Sequence, residues 1–502
     1  MTARRIPAWM ALCGGLLAAC SAVGPDYHRP AVETPRAFKE QPGWKPIQPQ
    51  DANARGPWWQ VYHDPVLDGL ERQVEVSNQN LKAAEAAFRQ ARAAVEEARA
   101  GLFPTLSATG GAQRSGAGAG STNTGNAGTG TINAATGSVV TPAVVTPGTS
   151  STANRYDASL GASWEPDVWG KIRRTVEASA ATAQASAADL ANARLSAQAT
   201  LATDYFELRA QDEQKRLLDQ TIAGYEKTLE ITRNQYQVGY AALADVVTAE
   251  TTLRGAQADA IQLGVLRAQL EHAIAVLTGR PPAEFSIAAT TQAVAVPEIP
   301  AGLPSTLLER NPSVAAAEQA VIAANAQIGV NLSAYYPDIT LSASYGFASA
   351  AVGDLLHASS ALWSVGAEFS QLLFDGGARR ARVEEARAAY DQNVAMYRQA
   401  VLTAFQQVED QMATLRILEQ EAGARQRAVT LAQQAVTLTT NEYQAGTVPY
   451  TSVVSAQATA LGDEENALTV RENRLVASVA LIEALGGGWS TAQLPAHGGS
   501  AK

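Results

Sequence analysis

Thiols are almost missing from this 502-residue chain: it has two cysteines, Cys13 and Cys20, both near its start. The body therefore offers neither a disulfide framework nor a cysteine metal site. Aromatic residues are sparse at 6%, although apolar residues as a whole reach 46%. Much of that share is alanine, which has the best intrinsic helix propensity and lets helices approach closely. Long, closely packed helices are therefore expected in place of a thick globular core. No run of 18 or more apolar residues follows the N-terminus, which excludes a spanning α-helix. The formal charge is −10 and no basic run occurs, which excludes tracking of a phosphate backbone and with it a nucleic-acid partner.

Catalytic constellations are missing too. His28, His63, His272, His357 and His497 are scattered and form no i, i+4 ligand pair. There is no Walker loop or G-x-S-x-G elbow, and the glycine-rich stretch 116–130 lacks the lysine that phosphate work needs. Glu96-Glu97 and Glu384-Glu385 read as solvated helix faces, and Arg379-Arg380 as structural. The expectation is a protein that is not an enzyme, with no metal and no cofactor beyond a covalent lipid.

What is present begins with an address. Arg4 and Arg5 precede an apolar stretch from Ile6 to Ala19, the layout of an export signal over 1–19. It ends in Leu17-Ala18-Ala19-Cys20, which resembles the lipobox of bacterial lipoproteins. Small residues admit the peptidase, and the Cys20 thiol accepts the lipid. Ser21 at the second mature position favours the outer membrane.

The chain then repeats itself. Asn234, Tyr236, Gln237 and Gly239 recur as Asn441, Tyr443, Gln444 and Gly446 at a shift of 207, and Arg267 and Gly279 recur as Arg474 and Gly486. Two homologous halves follow, 66–280 and 304–486, each ordered helix, two strands, long helix, turn, helix. The first helices are expected at about 66–100 and 304–334. Each stops before a proline, Pro104 or Pro337, which cannot continue a helix but suits a strand start.

Strands are expected at about 103–113, 155–165, 338–348 and 362–373. Ile339, Leu341, Ala343, Tyr345 and Phe347 alternate with small polar residues, as do Trp363, Val365, Ala367 and Phe369. Strands of about 10 residues with one apolar and one small, hydroxylated face match tilted transmembrane strands. Between the first two lies a Gly-, Ser- and Thr-rich loop, roughly 114–154, too poor in apolar residues to order itself.

From about 170 to 238 no proline interrupts the helical pattern, giving a helix on the order of 100 Å long. Leu218, Ile222, Tyr225, Leu229, Thr232 and Tyr236 step by four and three, the spacing of side-by-side helices. Gly239 and Gly446 mark hairpin tips near 239–243 and 446–450. Residues 20–65 read as a lipidated extended segment, 281–303 as a proline-rich equatorial linker, and 487–502 as a tail.

A four-stranded sheet in a bilayer leaves edge groups unpaired, which hydrocarbon does not tolerate, and the smallest barrels need about eight strands. Several chains must therefore contribute. Here the mature start Cys20-Ser21-Ala22-Val23-Gly24-Pro25-Asp26-Tyr27, the two Asn-x-Tyr-Gln-x-Gly tips and the closing Ala484-Leu485-Gly486-Gly487-Gly488-Trp489 resemble the outer-membrane lipoprotein branch of the TolC-like efflux family. The resemblance implies an α+β membrane protein. It further implies a homotrimer with a 12-stranded outer-membrane barrel, four strands per chain, continuous with a periplasmic coiled-coil barrel. It also implies a periplasmic adaptor and an inner-membrane pump, typically of the resistance-nodulation-division type, exporting drugs or other toxic compounds. The family's closing contact falls by motif position on Asp245 and Tyr443; the plainer alternative is a solvated helix charge and a packing residue. Where members often carry constriction acids, this chain has Ser452 and Ser455, so strong cation selectivity is not expected. An exit duct for type I secretion or metal export would share the architecture, and a non-conducting envelope lipoprotein is a further alternative.

Overall fold

The computed structural model describes residues 22–40, 57–117, 123–126, 131–132, 139–140, 143–146, 151–290, 294–299 and 304–495. The signal peptide, Cys20 and Ser21 lie outside them. Two compact units emerge. Unit 1 takes in residues up to Arg29 with Gln90–Ala183 and Gln319–Val394, and unit 2 takes in Pro30–Arg89, Gln184–Glu318 and the chain from Ala395.

In unit 2 the expected single helix of 66–100 is two, α1 (Pro65–Ser77) and α2 (Gln79–Ala100), the latter running on into unit 1. Asp64 starts α1 by accepting from the amides of Val66 and Leu67 at 2.8 and 3.2 Å, with Pro65 supplying a fixed φ. Asn78 makes the break. Its Oδ1 accepts from the Asn80 and Leu81 amides, and its Nδ2 donates to the Leu277 carbonyl at 2.9 Å. The second half breaks likewise between α5 (Pro304–Arg310) and α6 (Pro312–Ser333). There Asn311 caps Ser313 and Val314 and donates to the Ala484 carbonyl at 3.3 Å. An asparagine can satisfy two helix ends at once, which periodicity alone does not reveal. Each joint also requires a glycine. A Cβ on Gly279 (φ +70°) would lie 2.4 Å from the Ser77 carbonyl oxygen, and one on Gly486 (φ +90°) 2.0 Å from that of Arg310.

The long helices are α3 (Lys171–Gln237) and α7 (Ala378–Gln444), each of 67 residues, or about 100 Å. Their partners α4 (Leu243–Leu277) and α8 (Tyr450–Ala484) are each of 35 residues. Asp167 caps α3 by accepting from the Ile172 and Arg173 amides, and Asp375 caps α7 through Gly377 and Arg379. Bonds from the Arg379 amide and guanidinium hold the Asp375 carboxyl down at about 2. Few aromatics are available, and three of them (Tyr205, Phe206 and Tyr397) are fully buried in unit 2. Among the described residues no helix is long and apolar enough to cross a membrane.

Unit 1 carries the sheet. Its strands are β1 (Thr105–Ala117), β2 (Ser151–Trp164), β3 (Asp338–Ser349) and β4 (Ala361–Ser370). They are antiparallel and ordered β1-β2-β3-β4. β4 stops short of the expected 373: the ladder closes on Asp338↔Ser370, because Pro337 next to it has no N–H to donate. The 114–154 segment is more ordered than expected. β1 and β2 pair as far as Ala117↔Ser151, and Asn123–Asn126 pairs with Ala143–Thr146. Backbone ladders need no side-chain burial, so a Gly- and Ser-rich sequence does not forbid them.

Candidate channel wall and hairpin gate

Strand register sorts the sheet's residues into rows on two faces. One face is made of the rows Leu106–Ala162–Ala343–Val365, Ala108–Leu160–Tyr345–Trp363 and Trp164–Leu341–Ala367, with Ile339 beside Phe369. On it Leu106, Trp363, Val365 and Phe369 are 67–77% exposed. Large apolar side chains left so bare are costly in water and favourable in hydrocarbon.

The other face is made of Thr105–Ser163–Ser342–Gly366, Ser107–Gly161–Ser344–Ser364 and Thr109–Ser159–Gly346–Leu362. Its hydroxyls bond one another: Thr109 with Ser159 at 2.8 Å, and Ser344 with Ser364 at 3.0 Å. By the same register this polar face also carries Asp157, Asp338 and Glu368, so hydroxyls at its middle give way to carboxylates toward its ends. Gly346 is required here, since a Cβ would lie 2.5 Å from that of Ser159. β1 and β4 are the edges of this sheet.

At the helix-to-strand junction Trp169 stacks on Tyr336 at 4.9 Å and donates to the Pro337 carbonyl at 2.8 Å. Trp164 donates to the Leu102 carbonyl at 3.0 Å, and the Arg379 guanidinium lies over the Tyr335 ring at 5.4 Å. Aromatics holding a polar handle suit a membrane–water boundary.

In unit 2 the hairpins turn at Gly239 (φ +83°) and Gly446 (φ +74°). The left-handed φ at each is what glycine supplies without steric cost. Beside the turns lies a core of Tyr225, Leu229, Leu253, Tyr443, Tyr450 and Val453, contributed by all four long-hairpin helices. Tyr443 donates to Thr232 Oγ1 at 3.4 Å and its ring packs at 5.5 Å on Tyr450. Gln457 donates to Thr228 Oγ1 at 3.4 Å. First-half and second-half hairpins are thus joined by neutral hydroxyl and amide contacts.

The two expected gate residues have different partners here. Asp245 Oδ2 accepts from the Ala242 amide at 3.2 Å and so caps α4, whereas Tyr443 turns to Thr232. Tyr450, not singled out from the sequence, is 2% exposed. Burial pushes its phenol up to about 12, with the charge of nearby Asp245 acting in the same direction. Ser452 is half-buried and Ser455 exposed on α8, and Tyr236 is exposed. The signal for the missed contact was present: Thr232 is a hydroxyl at an otherwise apolar step of the coiled-coil spacing.

The family model for outer membrane efflux protein matches residues 70–280 and 303–487. The toluene efflux pump outer membrane protein TtgC of Pseudomonas putida is 30% identical over 483 residues, 96% of this chain and 95% of TtgC. The pyoverdine export outer membrane protein OpmQ of Pseudomonas aeruginosa is 30% identical over 486 residues, 95% of this chain and 97% of OpmQ. Among solved structures, the outer-membrane channel OprN superposes with a TM-score of 0.80 at 27% identity, over 93% of this chain and 99% of OprN. With both repeats matched by the family model, and with a two-faced sheet in one unit and two long hairpins in the chain, the chain belongs to the outer membrane efflux protein family.

Proposed function

We propose that three copies join β1 to β4 in the outer membrane, closing a 12-stranded barrel around the hydroxylated face. The chain is an outer-membrane exit channel for efflux, its helical body in the periplasm. The observation that carries this reading is a sheet with two open edges, one bare apolar face and one hydroxylated face. Open edges cannot persist in hydrocarbon, and only closure buries them while leaving a wet bore. Such a duct is passive, and the drive comes from an inner-membrane pump reached through a periplasmic adaptor. Cys20 carries the lipid, and the tips around Tyr443, Asp245, Ser452 and Ser455 are where the bore closes.

Purified full-length protein should give three copies by native mass spectrometry, an acyl mass on the Cys20 peptide, and steady conductance in a planar bilayer. Mild cross-linking in cells should capture an adaptor and a pump. A stable monomer that conducts no current would overturn the assignment.

A further inference from the structure

The first described residues are not a loose end. Arg174, on the first turn of α3, is 5% exposed. Its Nε donates to the Val23 carbonyl at 3.2 Å, and its Nη2 to the Gly24 carbonyl at 3.3 Å and to Asp26 Oδ1 at 3.0 Å. Nη1 is held by Glu177 at 2.8 Å. The Val23 amide donates to the Trp169 carbonyl at 2.9 Å, and Asn325 of α6 donates to the Pro25 carbonyl at 2.9 Å.

Three glycines clear the space. A Cβ on Gly24 (φ +111°) would lie 2.6 Å from Gly329 Cα, one on Gly329 2.7 Å from the Val23 oxygen, and one on Gly170 2.5 Å from Ala22. Chain termini ordinarily fray, and a buried guanidinium is costly unless every arm is satisfied. A segment without regular structure that satisfies a buried arginine, and for which glycines on α6 and before α3 make way, is docked in a specific seat.

The seat adjoins the helix-to-strand junction, since Val23 bonds Trp169, the residue stacked on Tyr336. Cys20 precedes Ala22 by two residues, a reach of about 7 Å. We propose that the seat formed by Arg174, Asn325, Gly170 and Gly329 fixes the acylated N-terminus at the level of that junction. Acyl chains and sheet then enter the same leaflet in register, and seating is a step in sheet insertion. This rests on the reading of Cys20 as the lipidated residue. Arg174 acts as a positioning residue, and its fork matters: it reads two carbonyls and a carboxylate from one plane, which a lysine cannot.

The test uses full-length protein in envelopes, comparing the unaltered chain with Arg174→Ala, Arg174→Lys, Gly329→Ala and Asp26→Ala. Three quantities are read: the acyl mass of the N-terminal peptide, the rate of chymotryptic cleavage after Tyr27, and the fraction of heat-modifiable oligomer. Arg174→Ala and Gly329→Ala should keep the acyl mass, be cleaved about tenfold faster as the seat opens, and give a lower oligomer fraction. Arg174→Lys should fall between. Asp26→Ala removes one exposed arm without touching the helices, so it should speed cleavage by a smaller factor at full helix content. Unchanged cleavage and oligomer in all four variants, with the acyl mass present, would overturn the seat. A missing acyl mass on the unaltered chain would overturn the Cys20 reading instead, and the proposal with it.

Discussion

Tyr236 and Tyr443 hold the same place in two copies of one motif, yet Tyr236 is 45% exposed and Tyr443 only 7%. The motif does not bury the tyrosine; its neighbour does. At the shift of 207, Tyr450, which packs on Tyr443, corresponds to Leu243, which is 57% exposed. The ion pairs divide the same way. Asp212 and Arg267 correspond to Glu419 and Arg474. The first pair meets at 2.7 Å with the Asp212 side chain 3% exposed, and the second at 4.0 Å with that of Glu419 74% exposed. Backbone devices, by contrast, are kept in both halves: Asn78 and Asn311 at the helix joints, Gly279 and Gly486 against the facing carbonyls. A duplicated backbone imposes the same demands twice. Side-chain partners instead depend on which segment lies over each helix. For α3 and α4 that segment brings Ile287, Ala288 and Thr290; for α7 it brings Lys39 and Glu40.

Removing the acid from each pair should break the two halves unequally. Asp212 accepts from Arg267, from Arg209 and from the Thr290 amide. Asp212→Ala would leave the buried Arg209 guanidinium without an acid, while Arg267 keeps Glu271, and should cost about 3–5 kcal/mol. Glu419→Ala should cost no more than about 1 kcal/mol. Thermal unfolding of the detergent-solubilised protein distinguishes them, and equal losses would mean that the exposed pair carries unexpected weight.

A smaller asymmetry lies at Glu71 in α1, fully buried, with neither carboxylate oxygen hydrogen-bonded to any described residue. By register from Asn78 and Asn311 its second-half counterpart is Pro304. Burial, with Glu75 adding to it, raises the Glu71 carboxyl from 4.5 to about 9. Below pH 4.5 folded and unfolded chains both hold the proton. Between 4.5 and about 9 the unfolded chain releases a proton that the folded one keeps, so stability falls as pH rises. Glu71→Gln should therefore stabilise the protein at pH 8 by on the order of 2 kcal/mol, read as a higher melting midpoint, and make no difference at pH 4.

The joints should respond alike. Asn78→Ala and Asn311→Ala should each cost about 1 kcal/mol, the usual value of a helix cap. Their equality is the point, since the same three bonds are lost in each. These joints also show where sequence reading stopped. Hydrophobic spacing, prolines and the repeat made the long helices, the strands and the duplicated order legible. The joints were not, because an asparagine that ends one helix and starts the next leaves the apolar spacing intact: Val74 and Leu81 stay buried on either side of Asn78. The repeat motif fixed where Tyr443 stands but not its partner, because only packing decides what its hydroxyl meets.

The smallest effect tests that pairing. Tyr443→Phe removes one long hydrogen bond, to Thr232 at 3.4 Å, and keeps the ring on Tyr450, so its stability cost should be under about 1 kcal/mol. Tyr236→Phe, on an exposed ring, should change nothing. Conductance is the sharper measurement: if the Tyr443–Thr232 bond helps hold the hairpins together, Tyr443→Phe and Thr232→Val should raise single-channel conductance of the isolated channel, and Tyr236→Phe should not. Asp245 then divides two roles. Asparagine keeps an acceptor for the Ala242 amide and loses only the charge, while alanine loses both. A rise with Asp245→Ala but not with Asp245→Asn assigns Asp245 to the capping of α4; a rise with both assigns it to the gate through its charge. No rise in any variant would leave the tyrosine core as packing, and the two hairpins would then differ in burial without differing in function.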